Sequence, residues 1–232
     1  IAGVMNFILK DDAEGFSVEA KIGEYSEGDG QQYMIAGNLG LPLTDAGFAN
    51  FSFEYGESDA TDRSVQRDDA AALIANGNTD VADPAQIWGS PEITNDIKLF
   101  ANFGLDLGGG SSAYMHGNYA SKHVDGGFYF RNPTNRGGVF AGPLVDPVTG
   151  AEDPGGVDSV RVGDMDGLGV GGACPAGIPL TGSGGVIPDA GILGQVVADD
   201  NCWSFVELFP GGFTPRFGGD VKDAALAAGV RG

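Results

Sequence analysis

The sequence predicts an all-β fold, an antiparallel up-and-down sheet, and two observations carry that expectation. Residues Phe16–Tyr25, Gln32–Leu41, Gly47–Gly56, Asn95–Leu107 and Ser111–Lys122 each place large apolar side chains on alternate positions. A period of two marks a strand with one apolar and one polar face. The links are of two kinds: tight at Pro42–Ala46 and Gly108–Gly110, dozens of residues long after the third and fifth segments. Segments of about ten residues match tilted strands crossing a bilayer. Short turns on one side and long loops on the other describe a membrane barrel seen edge-on. The expectation is therefore a partial transmembrane β-barrel with long extracellular loops.

Each element has its own reason. Ile1–Lys10 (IAGVMNFILK) forms an apolar strand interrupted by Asn6, and Asp11–Gly15 breaks it with charge and glycine. In the first alternating strand Phe16, Val18, Ala20 and Ile22 face one way and Ser17, Glu19 and Lys21 the other. A one-residue slip would reverse both faces, so the register is firmly set. Glu27–Gly30 is a turn. The second strand sets Tyr33, Ile35, Leu39 and Leu41 against Gln32, Met34, Ala36 and Asn38, with Met34 marring the polar face. After the turn at Pro42–Ala46 the third sets Ala49, Phe51, Phe53 and Tyr55 against Asn50, Ser52 and Glu54.

Ser58–Ile93 is a long loop, with helical propensity over Ser64–Ala75. The fourth strand has Ile97, Leu99, Ala101, Phe103 and Leu105 opposite Asp96, Lys98, Asn102 and Gly104, with Phe100 as the exception. The weaker fifth has Ala113, Met115, Gly117 and Tyr119 opposite His116, Asn118 and Lys122. From His123 onward the pattern dissolves into Gly, Pro and Asp, with a short helix expected over the Ala-rich Val221–Val230. A structureless stretch of that length is foreign to a compact soluble domain and natural as a surface loop of a large barrel. With the tight turns periplasmic, both long loops lie outside the cell. Tyr25, Tyr33, Tyr55 and Tyr119 then fall near the outer ends of their strands, as an aromatic girdle does. A soluble β-sandwich, its apolar face against a second sheet, leaves the one-sided link lengths unexplained.

Composition narrows the function. The 232 residues are 42% hydrophobic and include 41 glycines, which fits neither a helical bundle nor a disordered tail. No run of 18 apolar residues is present, which excludes a transmembrane helix but not a transmembrane strand. Beginning at Ile1 without an initiator Met, and lacking a recognisable closing strand, the chain is expected to be a piece of something longer. Acidic residues outnumber basic ones 32 to 12, for a formal charge of −20. Nucleic-acid binding depends on clustered Lys and Arg, and the balance argues against it. The acidity is read as a solvated surface, with an acidic vestibule for cations as the functional alternative. Cys174 and Cys202 belong to no Cys/His cluster, so a zinc site is disfavoured. One disulfide closing a long exposed loop in an oxidising compartment is favoured over two unpaired thiols.

Within Ile1–Lys10, the run Ala2, Gly3, Val4, Met5, Asn6 and Phe7 followed by Ile8, Leu9 and Lys10 resembles the last plug strand of TonB-dependent outer-membrane receptors. Asp125–Phe140 (DGGFYFRNPTNRGGVF) is similar to an extracellular segment of large members of that family. Gly3, Val4 and Asn6 carry the plug motif. The resemblance implies three parts: residues 1–11 as the end of a plug, 12–123 as the first five barrel strands with one outer loop, and 124–232 as a long extracellular loop region. It implies a 22-stranded barrel in the outer membrane of a Gram-negative cell, importing a bulky nutrient such as a siderophore, cobalamin, oligosaccharide or peptide. The partners implied are outer-membrane lipid, the extracellular ligand and a TonB-type energising protein acting through the missing N-terminal part. A secreted or surface-displayed β-rich adhesion module is the alternative.

Other chemistry is weaker. Gly167–Gly172 (GLGVGG) satisfies G-x-G-x-x-G but lacks the flanking strand and helix that a dinucleotide site needs, so no cofactor is expected. Asp158, Asp164 and Asp166 offer oxygen ligands without the twelve-residue calcium loop and read as solvated carboxylates. His116 and His123 read as polar lining near the end of the fifth strand. No Ser-His-Asp order or G-x-S-x-G elbow supports hydrolase chemistry, and no enzyme is expected. Tyr129, Arg131 and Arg136 are the ligand-binding candidates, an aromatic face with guanidinium groups at a loop mouth. The competing account is that both arginines pair with loop acids.

Overall fold

In the computed structural model, which describes residue 3, residues 8–167 and residues 174–232, the alternating segments become strands of one sheet. In chain order the elements are β1 (Phe16–Gly23), β2 (Gln32–Thr44), β3 (Gly47–Ser58), α1 (Asp68–Ala75), β4 (Glu92–Gly108) and β5 (Ser111–Gly127). Then follow β6 (Ser159–Arg161), β7 (Gly163–Asp164), β8 (Gly177–Pro179), α2 (Ala190–Ala198), β9 (Cys202–Trp203), α3 (Phe205–Leu208) and β10 (Arg216–Arg231). The chain divides into two units. Ile1–Asp62, Gly89–Gly126 and Phe217–Gly232 form the first, and Arg63–Trp88 with Gly127–Arg216 the second.

The first unit is a six-stranded sheet in the order β1-β2-β3-β4-β5-β10, a pure meander. β1 through β5 pair antiparallel. β10 runs antiparallel beside β5, with Gly232 near Ser111, Gly117 near Ala225 and Gly218 near Val124. These registers carry the apolar positions across the sheet in rows, such as Val18–Gly37–Phe53–Leu99–Tyr119. Among the described residues nothing packs on them: Phe16 is 81% exposed and Leu226 75%. Among the described residues, Ala49 is the one buried apolar residue of the six strands. The sheet therefore has no hydrophobic core.

The links fall as the alternation implies. β2 and β3 meet in a tight turn at Asp45–Ala46, where Thr44 Oγ1 accepts the Ala46 N–H at 3.2 Å. β4 and β5 meet through Gly109 and Gly110, both at positive φ (65° and 85°), as a two-residue hairpin of this hand demands. The other strand ends open into the longer links. Pro42, expected in the turn, is instead paired within β2 opposite Phe48, next to a register shift. β1 starts opposite Leu39, so β2 has one partner at Pro42 and the missing N–H costs no ladder bond.

Two expectations are corrected. Val221–Val230 is strand, not helix: its alanines favour helix locally, but the edge of β5 supplies a hydrogen-bonding partner along its length. The meander thus has six strands, not five. β5 also continues to Gly127, beyond Lys122, because backbone pairing with β4 persists where side-chain alternation fades.

The second unit replaces most of the loop expected over 124–232. α1 begins four residues later than the Ser64 start and packs Ala70 and Leu73 with Val81, Ala85 and Phe130. A second core gathers Val160, Ile178, Ile192, Val196, Cys202 and Val206. α2 is capped by Asp189, whose Oδ1 accepts the Ile192 N–H at 2.9 Å. Small pairs β6–β8 and β7–β9 complete it. Strands of two or three residues are too short to leave a periodic signature, which is why the region read as structureless.

Candidate functional site

The polar face of the sheet holds one row in which Gly40 of β2 pairs with Asn50 of β3, Asn50 with Asn102 of β4, and Asn102 with His116 of β5. The chain upstream of β1 crosses the strands along this row. Asn102 Nδ2 donates to the Lys10 carbonyl at 2.9 Å, and Asn50 Nδ2 donates to the Asp12 carbonyl at 3.1 Å. The Gly40 N–H then donates to the Gly15 carbonyl at 2.9 Å. Gly40 is required here for clearance: a Cβ at that position would stand 2.4 Å from the Asp12 carbonyl oxygen. Asn50 is 2% exposed and Asn102 7%, so each carboxamide must find partners inside the structure. Asn38 serves as the hub, its Nδ2 donating to Asn50 Oδ1 at 2.5 Å and Ser52 Oγ at 2.9 Å. Nearby, Lys98 Nζ bridges Glu54 at 2.5 Å and Asp96 at 3.3 Å.

The amide row was not anticipated as a site. Asn38, Asn50, Asn102 and His116 lie on the polar face that their alternation implies, whereas Gly40 carries no such signal, and the row stands out only once the register aligns it. Of the plug-motif residues, Gly3 is exposed and makes no contact that its missing side chain explains. Val4 and Asn6 lie outside the described residues, as do residues 168–172 of the G-x-G-x-x-G match. Ile8–Lys10, expected as strand, has no regular secondary structure.

At one end of the apolar face Tyr33 and Tyr55 stand with ring centroids 6.3 Å apart, and both hydroxyls donate to Glu57, at 2.5 and 2.6 Å. Tyr119 does not join them. It is the ninth of the seventeen residues of β5 and pairs with Leu99, because the strand is longer than its alternation. His116 stacks between Phe100 and Tyr114, each centroid 6.3 Å away. His123 Nδ1 lies 3.0 Å from Asp220 Oδ1 of β10.

In the second unit Tyr129 leans on Trp88 (5.3 Å) and meets Phe128 edge-on (5.0 Å). Arg131 places its guanidinium 5.5 Å from the Phe128 ring centre and is tied through its backbone to Phe213. Arg136 is exposed, and its carbonyl accepts the N–H groups of Phe140 and Ala141 in a turn. Tyr129 and Arg131 are thus brought together around Phe128, whereas Arg136 anchors a separate turn. Trp88, from the other loop segment, was missed because no motif surrounds it.

Arg67 clasps Asp69 through Nε at 2.9 Å, and Asn132 Nδ2 donates to the same carboxylate at 3.3 Å. Burial pushes the Asp69 carboxyl up, but the Arg67 guanidinium and the Asn132 and Ala70 N–H groups together hold it below the usual carboxylate range. Asp146 is likewise held low by the Thr149 N–H and hydroxyl and the Val148 N–H. Asp164 accepts from Asn201 and from the N–H groups of Asp166 and Gly167, ordering a turn. Among the described residues no cluster of three metal-ligating side chains occurs. Cys174 and Cys202 are joined by a disulfide.

No protein-family model, curated protein or solved structure matches the chain.

Proposed function

We propose that the chain builds part of the wall of an energy-coupled outer-membrane receptor that captures and imports a bulky nutrient. One observation carries this reading: a six-stranded meander exposes a continuous apolar face with no second layer among the described residues, while the upstream chain is strapped across its polar face. A sheet of that kind buries its apolar side in water only by acquiring another layer. In a bilayer the lipid itself is that layer, and the polar side becomes the lumen. An upstream segment on the lumen side is where a plug leaves the wall, in keeping with the resemblance of Ile1–Lys10 to a plug strand. Six strands are fewer than the eight of the smallest membrane barrels, so further strands complete the wall. The tight hairpins face the periplasm, and the long links leave the opposite, outer ends of the strands. The ligand is captured from outside the cell, and the energising partner acts through the upstream plug.

A nitroxide scan along Ala49–Tyr55 of the full-length protein in native outer membrane tests this. Collision with oxygen is expected to peak at 51, 53 and 55, and collision with a water-soluble nickel chelate at 52 and 54, Ala49 and Asn50 being buried. Recovery of the protein as a secreted, detergent-free species with both faces open to the nickel chelate would sink the reading and favour the adhesion module.

A further inference from the structure

The second unit is built from two insertions, Arg63–Trp88 and Gly127–Arg216, and the disulfide lies wholly in the later one. Cys202 belongs to the buried cluster of Val160, Ile178, Ile192, Val196 and Val206, and Cys174 packs against it. Two arms leave that cluster and end on the earlier insertion. The first runs from Pro179 to Asp189, rooted by Ile178 before it and Ile192 after it. Its feet are tied where the Asp189 N–H donates to the Pro179 carbonyl at 2.8 Å, and higher up the Gly182 N–H donates to the Ile187 carbonyl at 2.9 Å. The tip is seated on α1. Val186 and Ile187 pack against the cluster that holds Ala70, Leu73 and Val81, and Ser183 Oγ donates to Asn76 Oδ1 at 3.0 Å. Gly184, at φ 66°, comes so near that a Cβ there would stand 2.5 Å from the same oxygen. The second arm follows Val206. Its Pro210 carbonyl accepts from Asn78 Nδ2 at 2.8 Å, and a Cβ on Gly211 would collide with the Asp80 carbonyl. Both arms thus close on Asn76–Val81, the segment that leaves the C-terminal end of α1. We propose that Cys174–Cys202 is a redox-sensitive latch acting at a distance: intact, it fixes the arms that clasp Asn76–Val81, and reduced, it frees that segment of the other insertion.

The position of the bond gives the effect its direction. The loop it closes contains the whole first arm, and the second arm begins within a few residues of Cys202. Opening that loop returns conformational freedom to the feet of both arms, and packed side chains carry the change to their tips. The start of α1 and the residues after Val81 are held by contacts that bypass the disulfide cluster. Asp69 accepts from Arg67 and Asn132, the Ala85 carbonyl accepts from Thr214 Oγ1, and Phe130 joins the α1 cluster directly. The rest of α1 therefore stays docked when the arms loosen. The chemistry is thiol–disulfide exchange with a dithiol. One thiolate attacks the sulfur of the half-buried Cys174, since Cys202 is 8% exposed, and Cys202 leaves as a thiolate that takes up a proton. The second thiol of the reagent then resolves the mixed disulfide, so two electrons pass to the protein, both cysteines end as thiols and the reagent ends as a disulfide. The latch concerns the second unit alone and does not depend on the receptor reading.

The experiment compares native-state amide exchange of the full-length protein before and after reduction with dithiothreitol. The reporters are the N–H groups of Asn76 and Asn78, which donate to the Ala72 and Leu73 carbonyls at 3.1 and 3.0 Å. Reduction is expected to speed their exchange roughly tenfold or more, and reoxidation to restore it. The Arg131 N–H, bonded to the Phe213 carbonyl at 2.7 Å, and the amides of β3 should change by less than about twofold. Ile187→Ala cuts the first arm at its tip without touching the disulfide. In the oxidised protein it should speed Asn76 and Asn78 as well, while the Leu193 N–H, bonded to the Asp189 carbonyl at the root of the arm, stays slow. Unchanged exchange at Asn76 and Asn78 on reduction would overturn the latch. So would an equal rise at Arg131, which would mean that the whole second unit unfolds, or an Ile187→Ala variant that leaves Asn76 and Asn78 unmoved. A latch that fails in a membrane-inserted protein would leave the receptor reading standing, and a working latch in a secreted protein would sink that reading alone.

Discussion

Gly37 and Phe53 are opposite residues of β2 and β3, and the Phe53 ring lies over the bare Cα: a Cβ at Gly37 would stand 2.3 Å from Phe53 Cε1. Phe48 covers Gly104 in the same way on the other face. An aromatic ring laid across a cross-strand glycine restores the packing that the glycine lacks. Gly37→Val should therefore destabilise the sheet by about 1–3 kcal/mol through overpacking, read as a shift in the denaturant midpoint. Adding Phe53→Ala should recover part of that loss, whereas an additive double variant would refute the contact. In the sequence Gly37 is merely a gap in the alternation between Ile35 and Leu39. Its partner lies across the β2–β3 turn, so only the pairing register identifies it. Trp88 was illegible for a similar reason, since Tyr129 reaches it across the whole length of β4 and β5.

The strap from Lys10 to Gly15 is held by three hydrogen bonds to a sheet that already satisfies its own ladder. A net bond contributes about 1 kcal/mol. Asn50→Ala and Asn102→Ala should each raise amide exchange at Gly40, whose N–H bonds to Gly15, by roughly fivefold, and the double variant by more. Unchanged exchange at Gly40 in the double variant would show that the strap is held by something else. The strands themselves were largely legible: the start of each of β1, β2, β3 and β5 coincides with its alternating segment, and the two faces are those the side chains imply. β10 was not. Ala224, Ala225, Ala227 and Ala228 carry no two-faced signal, so what makes them a strand is the open edge of β5 beside them.

The two units stand on different physics. The sheet keeps its large apolar groups outside, whereas the second unit has two buried clusters and the Cys174–Cys202 bond, which joins positions 28 apart in sequence. Closing a loop of that length contributes roughly 3–4 kcal/mol by constraining the unfolded chain. Reduction, or a Cys174→Ala/Cys202→Ala variant, should thus make Gly127–Arg216 the first region cut in limited proteolysis, with the sheet strands still protected. Equal cutting of both units would contradict their independence. By itself the sequence determined the strand class, the two faces and the unequal links, because period-two alternation and turn residues act over neighbours in the chain. Only the tertiary structure decided that the meander has a sixth strand, that buried asparagines hold the upstream chain to the polar face, and that the long insertions hold a folded unit with Trp88 against Tyr129. Each of those depends on contacts between residues far apart in sequence, and no local pattern encodes the register that brings them together.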